Sequence, residues 1–232
     1  MCIQVETFAM IVAQVLALDK RRAATRMQSS SSRTAPPSSM SQLRSRLYLS
    51  LNQSLFRNIV IGANQAEGVH CKGSCNIYNV WFEDVCEDAI TLRQTSGTTN
   101  IVGGGAKNAD DKVVQHNGGG KSHIWYLKQT APYLTFIQGI VKIDSYCVQD
   151  FGKLYRSCGN CSTQVKREVQ ISNIIARNGK LLAGVNSNYG DVATIDTKSN
   201  SYTSLTSVRD TFQGNNVSAE PTTLTKNQSN AK

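Results

Sequence analysis

The stretch Phe56–His70, FRNIVIGANQAEGVH, is echoed by Ile77–Thr91, IYNVWFEDVCEDAIT, and again by Thr98–Val114, TTNIVGGGAKNADDKVV. Asn58, Asn79 and Asn100 are evenly spaced (79 − 58 = 21, 100 − 79 = 21), each beside an Ile or Val. Glu67 and Asp88 repeat that interval (88 − 67 = 21), and Asp111 follows after a slightly longer one (111 − 88 = 23). A recurrence near this length, with one Asn and a short apolar run per copy, is the pattern of a solenoid in which each unit stacks on the last. Stacking brings equivalent positions into a column. Here the column is expected to hold Glu67, Asp88 and Asp111, with Glu87 and Asp110 alongside. Carboxylates drawn together repel one another unless a cation lies among them. All the donors are oxygen, so Ca²⁺ is the ion this pattern suits.

The full chain has 232 residues, 40% of them apolar, and a net charge of +9. That is enough apolar material for one domain with a substantial core. A basic surface suits a polyanion, but the charge is uneven. Lys20–Arg46 carries seven Lys/Arg residues and no acid, is rich in Ser, and contains Pro36-Pro37. Such composition reads as a linker. No paired Cys/His finger, basic helix or aromatic-glycine sheet signature points to nucleic acid as a partner. The mostly apolar run Phe8–Leu18 has the length of a signal segment's core and is too short to cross a bilayer. No positive charge precedes that run, so residues 1–18 read as a helix or as a poor signal segment.

Seven cysteines (Cys2, Cys71, Cys75, Cys86, Cys147, Cys158 and Cys161) and glycosylation sequons at Asn52, Asn160, Asn216 and Asn227 suggest an oxidising, secretory route. Cys71-x3-Cys75 and Cys158-x2-Cys161 are too far apart in sequence to read as a zinc site. A local disulfide is the reading for Cys158 and Cys161.

Residues 47–195 are expected to form the folded part, residues 19–46 a linker and residues 196–232 a Ser/Thr/Asn-rich low-complexity tail. Short β-branched runs separated by Gly and Asn predict strands at Asn58–Gly62, Gly68–Cys71, Ile77–Glu83, Ala89–Arg93, Thr99–Val102, Lys112–His116, Val141–Cys147, Lys153–Tyr155, Val169–Ala176 and Lys180–Ala183. The class is all-β, and a parallel β-helix fits this pattern better than a sandwich. A leucine-rich solenoid is excluded by the missing L-x-x-L-x-L signature. One segment breaks the pattern. Ser122–Ile140, SHIWYLKQTAPYLTFIQGI, has no Asn or Asp and concentrates aromatics. It reads as an insert: an added coil, a loop, or foreign sequence.

GANQAEGVHCKGSC, NVWFEDVCEDAITL, GGGAKNADDKVVQHNGGG, DFGKLYRSCGNCS and AGVNSNYGD closely resemble polysaccharide lyase family three, the pectate lyases of fungi, oomycetes and bacteria. The resemblance spans about Leu55 to Ile195 apart from the insert. It implies a right-handed parallel β-helix and a secreted, monomeric, Ca²⁺-dependent enzyme that cleaves pectate, the α-1,4-linked galacturonate polymer, by β-elimination. The products would be 4,5-unsaturated oligogalacturonates. Residue by residue, it implies metal ligation by Glu67, Glu87, Asp88 and Asp111. Lys112 matches the family's proposed base. Lys153 and Arg156, in the GKLYR segment, match cations that serve both catalysis and substrate binding, and Arg93 matches a further substrate contact.

Each of these residues also has a plainer reading. An isolated Asp caps turns, Lys112 could be one half of a salt bridge, and Lys153 and Arg156 could be ordinary surface cations. His70, His116 and His123 read as turn or core histidines, and at least one of Trp81 and Phe82 as core. Two further functions stand beside the enzyme. One is a catalytically inactive, degenerate pectate-binding or effector protein. The other, weaker one is nucleic-acid binding through the basic linker. Lys112 and Lys153 are separated by close to two repeats (153 − 112 = 41). An insert wound in as a full coil would separate them by an extra rung, whereas one that bulges out would leave them adjacent.

Overall fold

The computed structural model describes residues 49–51, 54–63, 65, 68–119 and 140–227. The expectations for residues 1–18 and 19–46, for Glu67 and for Ser122–Ile140 other than Ile140 itself lie outside the described residues.

One repeated side-chain stack organises everything else. Phe56, Ile77, Ile101, Ile143, Ile171 and Ile195 occupy matching positions on successive strands. All six are buried. Strands in register lie about 4.8 Å apart, so each apolar side chain rests on the one below it. The burial of both core-facing branches explains why these positions are β-branched or aromatic.

The strands, in chain order, are β1 (Leu49–Leu51), β2 (Ser54–Ile61), β3 (Val69–Cys71), β4 (Cys75–Phe82), β5 (Asp88–Leu92), β6 (Thr98–His116), β7 (Ile140–Asp144), β8 (Cys147–Ser157), β9 (Glu168–Ser172), β10 (Ile175–Asn186), β11 (Val192–Ile195), β12 (Ser201–Gln213) and β13 (Thr222–Thr225). They belong to one continuous sheet that curls on itself. The pairing is parallel throughout except between β12 and β13. The register resolves three faces. One carries β2, β4, the start of β6, β7, β9 and β11. The next carries the middle of β6 and the starts of β8, β10 and β12. The third carries β1, β3, β5 and then the C-terminal parts of β6, β8, β10 and β12. This is a parallel β-helix.

Corners form where a single residue turns left-handed without breaking the ladder. Asn108, Asp150, Asn178 and Ser204 have φ between 51° and 56° and are equivalent positions on four successive rungs. Asn and Asp tolerate this region better than other L residues. Their side chains also tie rungs together: Asn178 Nδ2 donates to Asp150 Oδ1 at 3.0 Å, and Asn108 Nδ2 to Asp84 Oδ1 at 2.9 Å. Because these corners keep the pairing intact, β6, β8 and β10 run far longer than the short pieces expected.

Two further expectations are corrected. The rung length is not constant. Leu55 pairs with Asn76 (76 − 55 = 21), but Asn76 pairs with Asn100 (100 − 76 = 24) and Ile140 with Glu168 (168 − 140 = 28). Asn79 does bond to Asn58, at 2.9 Å, but Asn100 bonds to Asn76. The low-complexity tail is also not one: β12 adds a full rung on β10, and β13 folds back against it. Its Ser and Thr residues serve an outer rung whose side chains mostly meet water, so low apolar content does not mean lack of structure.

Phe82 is fully buried, while the Trp81 ring lies outside over Gly105, where a Cβ would collide with it. Cys71–Cys75 and Cys158–Cys161 form disulfides.

His116 ends β6 facing inward, its Nδ1 2.8 Å from the Tyr155 hydroxyl. Burial, helped by the charge of Arg167, pushes its pKa down from the ordinary 6.5 to about 3. The folded chain therefore keeps His116 neutral while the unfolded chain takes up a proton below pH 6.5. Stability contributed by the neutral ring is lost as the pH falls from 6.5 toward 3, by up to about 1.4 kcal/mol per pH unit. Urea unfolding between pH 7 and pH 4 is expected to show a steeper acid loss in the wild type than in His116→Gln.

Candidate active site

The third face concentrates the charged residues. Asp88 opens β5, Lys112 lies opposite it on β6, and Lys153 lies opposite Lys112 on β8. Lys112 and Lys153 are thus one rung apart, and no rung intervenes.

The expected column of three carboxylates is displaced by one residue. Ala109 pairs with Phe151 and Lys112 with Lys153, so two residues, Asp110 and Asp111, oppose the single Gly152. This is a β-bulge, and it re-aims the side chains around it. A Cβ on Gly152 would collide with the backbone carbonyls of Asp110 and Asp111, so the bulge requires glycine there. Lys112, not Asp111, consequently faces Asp88, and Asp111 swings between the two lysines.

The result is a chain of alternating charge. Lys112 Nζ is 3.3 Å from Asp88 Oδ1 and donates to Asp111 Oδ2, and Lys153 Nζ reaches Asp111 Oδ1 at 2.8 Å. Burial would lower the Lys112 pKa, but the hydrogen bond to Asp111 and the charge of Asp88 outweigh it and hold the ammonium above its usual range. Burial likewise works to raise Asp111, and the hydrogen bonds from Lys112 and Lys153 overcome it, leaving that carboxyl below the usual range. Asp88 is different. Burial lifts it to about 6 despite Lys112, with Asp111 and Glu87 adding to the rise.

Among the described residues no three His, Cys, Asp or Glu side chains converge as a metal-binding group. What the site offers a cation is a half-buried Asp88, whose Oδ1 is already paired with Lys112 Nζ at 3.3 Å, with exposed Glu87 next to it. An ammonium already lies between Asp88 and Asp111. This donor set is anionic and all oxygen, which fits a hard ion such as Ca²⁺.

Arg156 lies three residues past Lys153, opposite Gln115, about 10 Å further along the strand direction. Its exposure is only 7%. The side chain runs across Gly184, where a Cβ would come within 2.8 Å of Cδ, and its guanidinium stacks on the Phe212 ring, 4.0 Å from the centroid. Nη1 donates to Ser157 O at 2.5 Å and to Asn186 Oδ1 at 3.0 Å. Burial pushes the Arg156 pKa down to about 10. Arg93 follows β5 and is exposed, its backbone N–H on Cys71 O.

Sequence reasoning missed the support beneath Arg156. Asn186 Nδ2 donates to Asp191 Oδ2 and to Cys158 O, both at 3.0 Å. Asp191 also accepts from Ser157 Oγ at 2.6 Å and from the Arg167 backbone N–H at 2.8 Å. Fully buried Arg167 ties the turn after β6 to the 158–165 loop through the carbonyls of Asn117, Gly118 and Val165. Asn186 and Asp191 stand in AGVNSNYGD, a segment with a recognisable pattern but no role legible from spacing. Phe212 lies in the stretch read as a tail. A cleft of about 490 Å³ adjoins the bulge, lined by Asp84, Asn108, Asp110, Asp150, Gly152 and Lys180 among others.

The profile of the pectate lyase family matches residues 44–130 and 137–218. Probable pectate lyase E of Aspergillus clavatus is 55% identical over 143 residues, 61% of this chain and 49% of that protein. Pectate lyase H of Emericella nidulans is 51% identical over 150 residues, 65% of this chain and 50% of that protein. Probable pectate lyase D of Aspergillus fumigatus is 47% identical over 175 residues, 75% of this chain and 64% of that protein. Among solved structures, pectate lyase Pel3 from Pectobacterium carotovorum superposes with a TM-score of 0.56 at 29% identity, covering 76% of this chain and 54% of that one. PelI from Erwinia chrysanthemi, solved in complex with tetragalacturonic acid, superposes with a TM-score of 0.51 at 26% identity, covering 73% of this chain and 62% of that one. The chain belongs to the pectate lyase family. It spans about half the length of several of the named relatives it matches.

Asp111 is the carboxylate that holds both lysines. Asp111→Asn is expected to lower the Lys112 pKa, because the hydrogen bond and charge that raise it are gone. A lysine titration by NMR on ¹³C-methylated protein reads the shift, and an unmoved Lys112 resonance would show that Asp88 alone sets its basicity.

Proposed function

We propose that this protein is a secreted, Ca²⁺-dependent pectate lyase that acts as a monomer on polygalacturonate and yields 4,5-unsaturated oligogalacturonates. The observation that carries this reading is the Asp88–Lys112–Asp111–Lys153 charge chain on one face of a pectate-lyase-family β-helix. The Cys71–Cys75 and Cys158–Cys161 disulfides support an oxidising destination. Among the described residues no helix is long and apolar enough to cross a membrane.

β-Elimination breaks the C5–H bond of a galacturonate, forms the C4=C5 double bond, and expels the C4 glycosidic oxygen, which takes up a proton. Lys112 is the residue proposed to accept the C5 proton, and it must first shed its own. Its raised pKa makes that harder, so the neutral amine is favoured at alkaline pH and when the carboxylates holding Lys112 are engaged elsewhere. Asp88, Glu87, Asp111 and Glu67 are proposed to hold Ca²⁺, which when bound supplies charge stabilisation to the uronate carboxylate. Lys153 and Arg156 are assigned to binding uronate carboxylates and stabilising the charge that develops there, Arg156 through the planar donor edge suited to a carboxylate. Arg93 is assigned to a more distant sugar.

A second reading, a pectate-binding protein without turnover, is favoured by one feature: the base is clamped as an ammonium between two carboxylates. The same assay separates the two. Absorbance of the unsaturated product should rise when the protein meets polygalacturonate, and chelation of Ca²⁺ should abolish the rise. Lys112→Ala should lower the rate by about 10²- to 10⁴-fold, the usual worth of a positioned base, while oligogalacturonate binding persists. Binding without product from the wild type selects the second reading, and neither binding nor product rejects both.

A further inference from the structure

We propose that Phe212 and Asn186 are positioning residues that fix the Arg156 guanidinium for a carboxylate of the substrate. The inference rests on the pectate lyase reading and names how one of its substrate contacts is built.

Arg156 is a buried cation with an unusual set of neighbours. Among the described residues no carboxylate forms a salt bridge with it. Asp191, whose charge acts on it, is occupied by Ser157, Asn186 and the Arg167 backbone N–H. Glu220 acts on Arg156 only through its charge. A guanidinium that has already lost most of its water and lacks a direct anionic partner is set up to receive an anion.

The contacts that Arg156 does make fix the plane of its guanidinium, and Nη2 packs beside Gly159, where a Cβ would come within 2.5 Å of it. Phe212 covers one face of the guanidinium. The described hydrogen bonds all run through Nη1, to the Ser157 carbonyl and hydroxyl and to Asn186 Oδ1. The Asn186 amide cannot turn to offer its nitrogen instead, because Nδ2 is committed to Asp191, Cys158 O and Ser157 Oγ. Nε and Nη2 are the donors left over, and those two form the fork that meets a carboxylate. Gly184 is part of the same arrangement, since a Cβ there would press on both Arg156 Cδ and the Phe212 ring.

Phe212 comes from the last parallel rung, beyond the segments that carry the charge chain. Its ring orients a cation without competing for the hydrogen bonds that the substrate needs. Ser157 and Asn186 fix one nitrogen, the ring fixes the tilt, and together they leave a single orientation.

The test is a kinetic and spectroscopic comparison of the full chain carrying Phe212→Leu or Phe212→Tyr. Phe212→Leu is expected to lower kcat/KM on polygalacturonate about tenfold, mainly through KM, and Phe212→Tyr to remain within about twofold of the wild type. In an Arg156→Lys background, which lacks the planar fork, Phe212→Leu should add no further loss; an equal loss in both backgrounds would overturn the proposal. The Arg156 Nε–Hε NMR resonance should move in Phe212→Leu and hold in Phe212→Tyr, and a resonance indifferent to the ring would also overturn it. That readout needs no turnover, so a wild type that makes no product rejects the lyase reading and leaves the Phe212–Arg156 contact still decided. Phe212→Met, which keeps apolar bulk without a ring, replaces the Leu variant if that one does not fold.

Discussion

Everything in this protein depends on rungs that stay in register while their lengths change. The stack from Phe56 through Ile77, Ile101, Ile143 and Ile171 to Ile195 supplies the constraint. A slip by one residue would turn every one of those side chains outward and bring polar neighbours in. Loops absorb the length differences, so rungs of unequal length still align (76 − 55 = 21, 100 − 76 = 24, 168 − 140 = 28). A functional face is only as well defined as that register, because each charged residue on it comes from a different rung.

Much of the architecture was legible, for reasons that can be named. The Asn-Ile and Asn-Val pairs exposed the repeat because the branched residue beside each Asn packs on the core, and Asn58 and Asn79 take left-handed corners while Asn100 lies in regular strand. What the repeat concealed was its variation. Asn100 lies as far beyond Asn79 as Asn79 lies beyond Asn58, yet its ladder partner is Asn76, because the turn before β6 is longer. Asp111 falls outside the column that its spacing predicts for a related reason. A bulge changes the count by one residue, and its only sequence mark is Gly152 on the neighbouring strand. Residues 201–225 look like a tail in sequence because an outer rung can be held by backbone pairing while its side chains remain polar.

The charge chain and the Arg156 cradle solve two different electrostatic problems. Lys112 and Lys153 share Asp111 in a half-exposed setting, where ion pairs exchange readily with water and with ligands. Arg156 lies deeper and leans on neutral groups: a ring, three oxygens of uncharged residues, and a missing side chain at Gly184. The first arrangement suits groups that must change partners during a reaction. The second suits a group that must not move.

β13 has a consequence of its own. A stack of parallel rungs ends in an unsatisfied row of N–H and C=O groups that matches the first rung of an identical molecule, and such an end invites chains to join into filaments. By running against β12, β13 reverses the polarity of the final strand. Over Thr211–Gln213 the edge it presents no longer matches a parallel rung, so that part of the final rung is turned away from end-to-end pairing with an identical molecule.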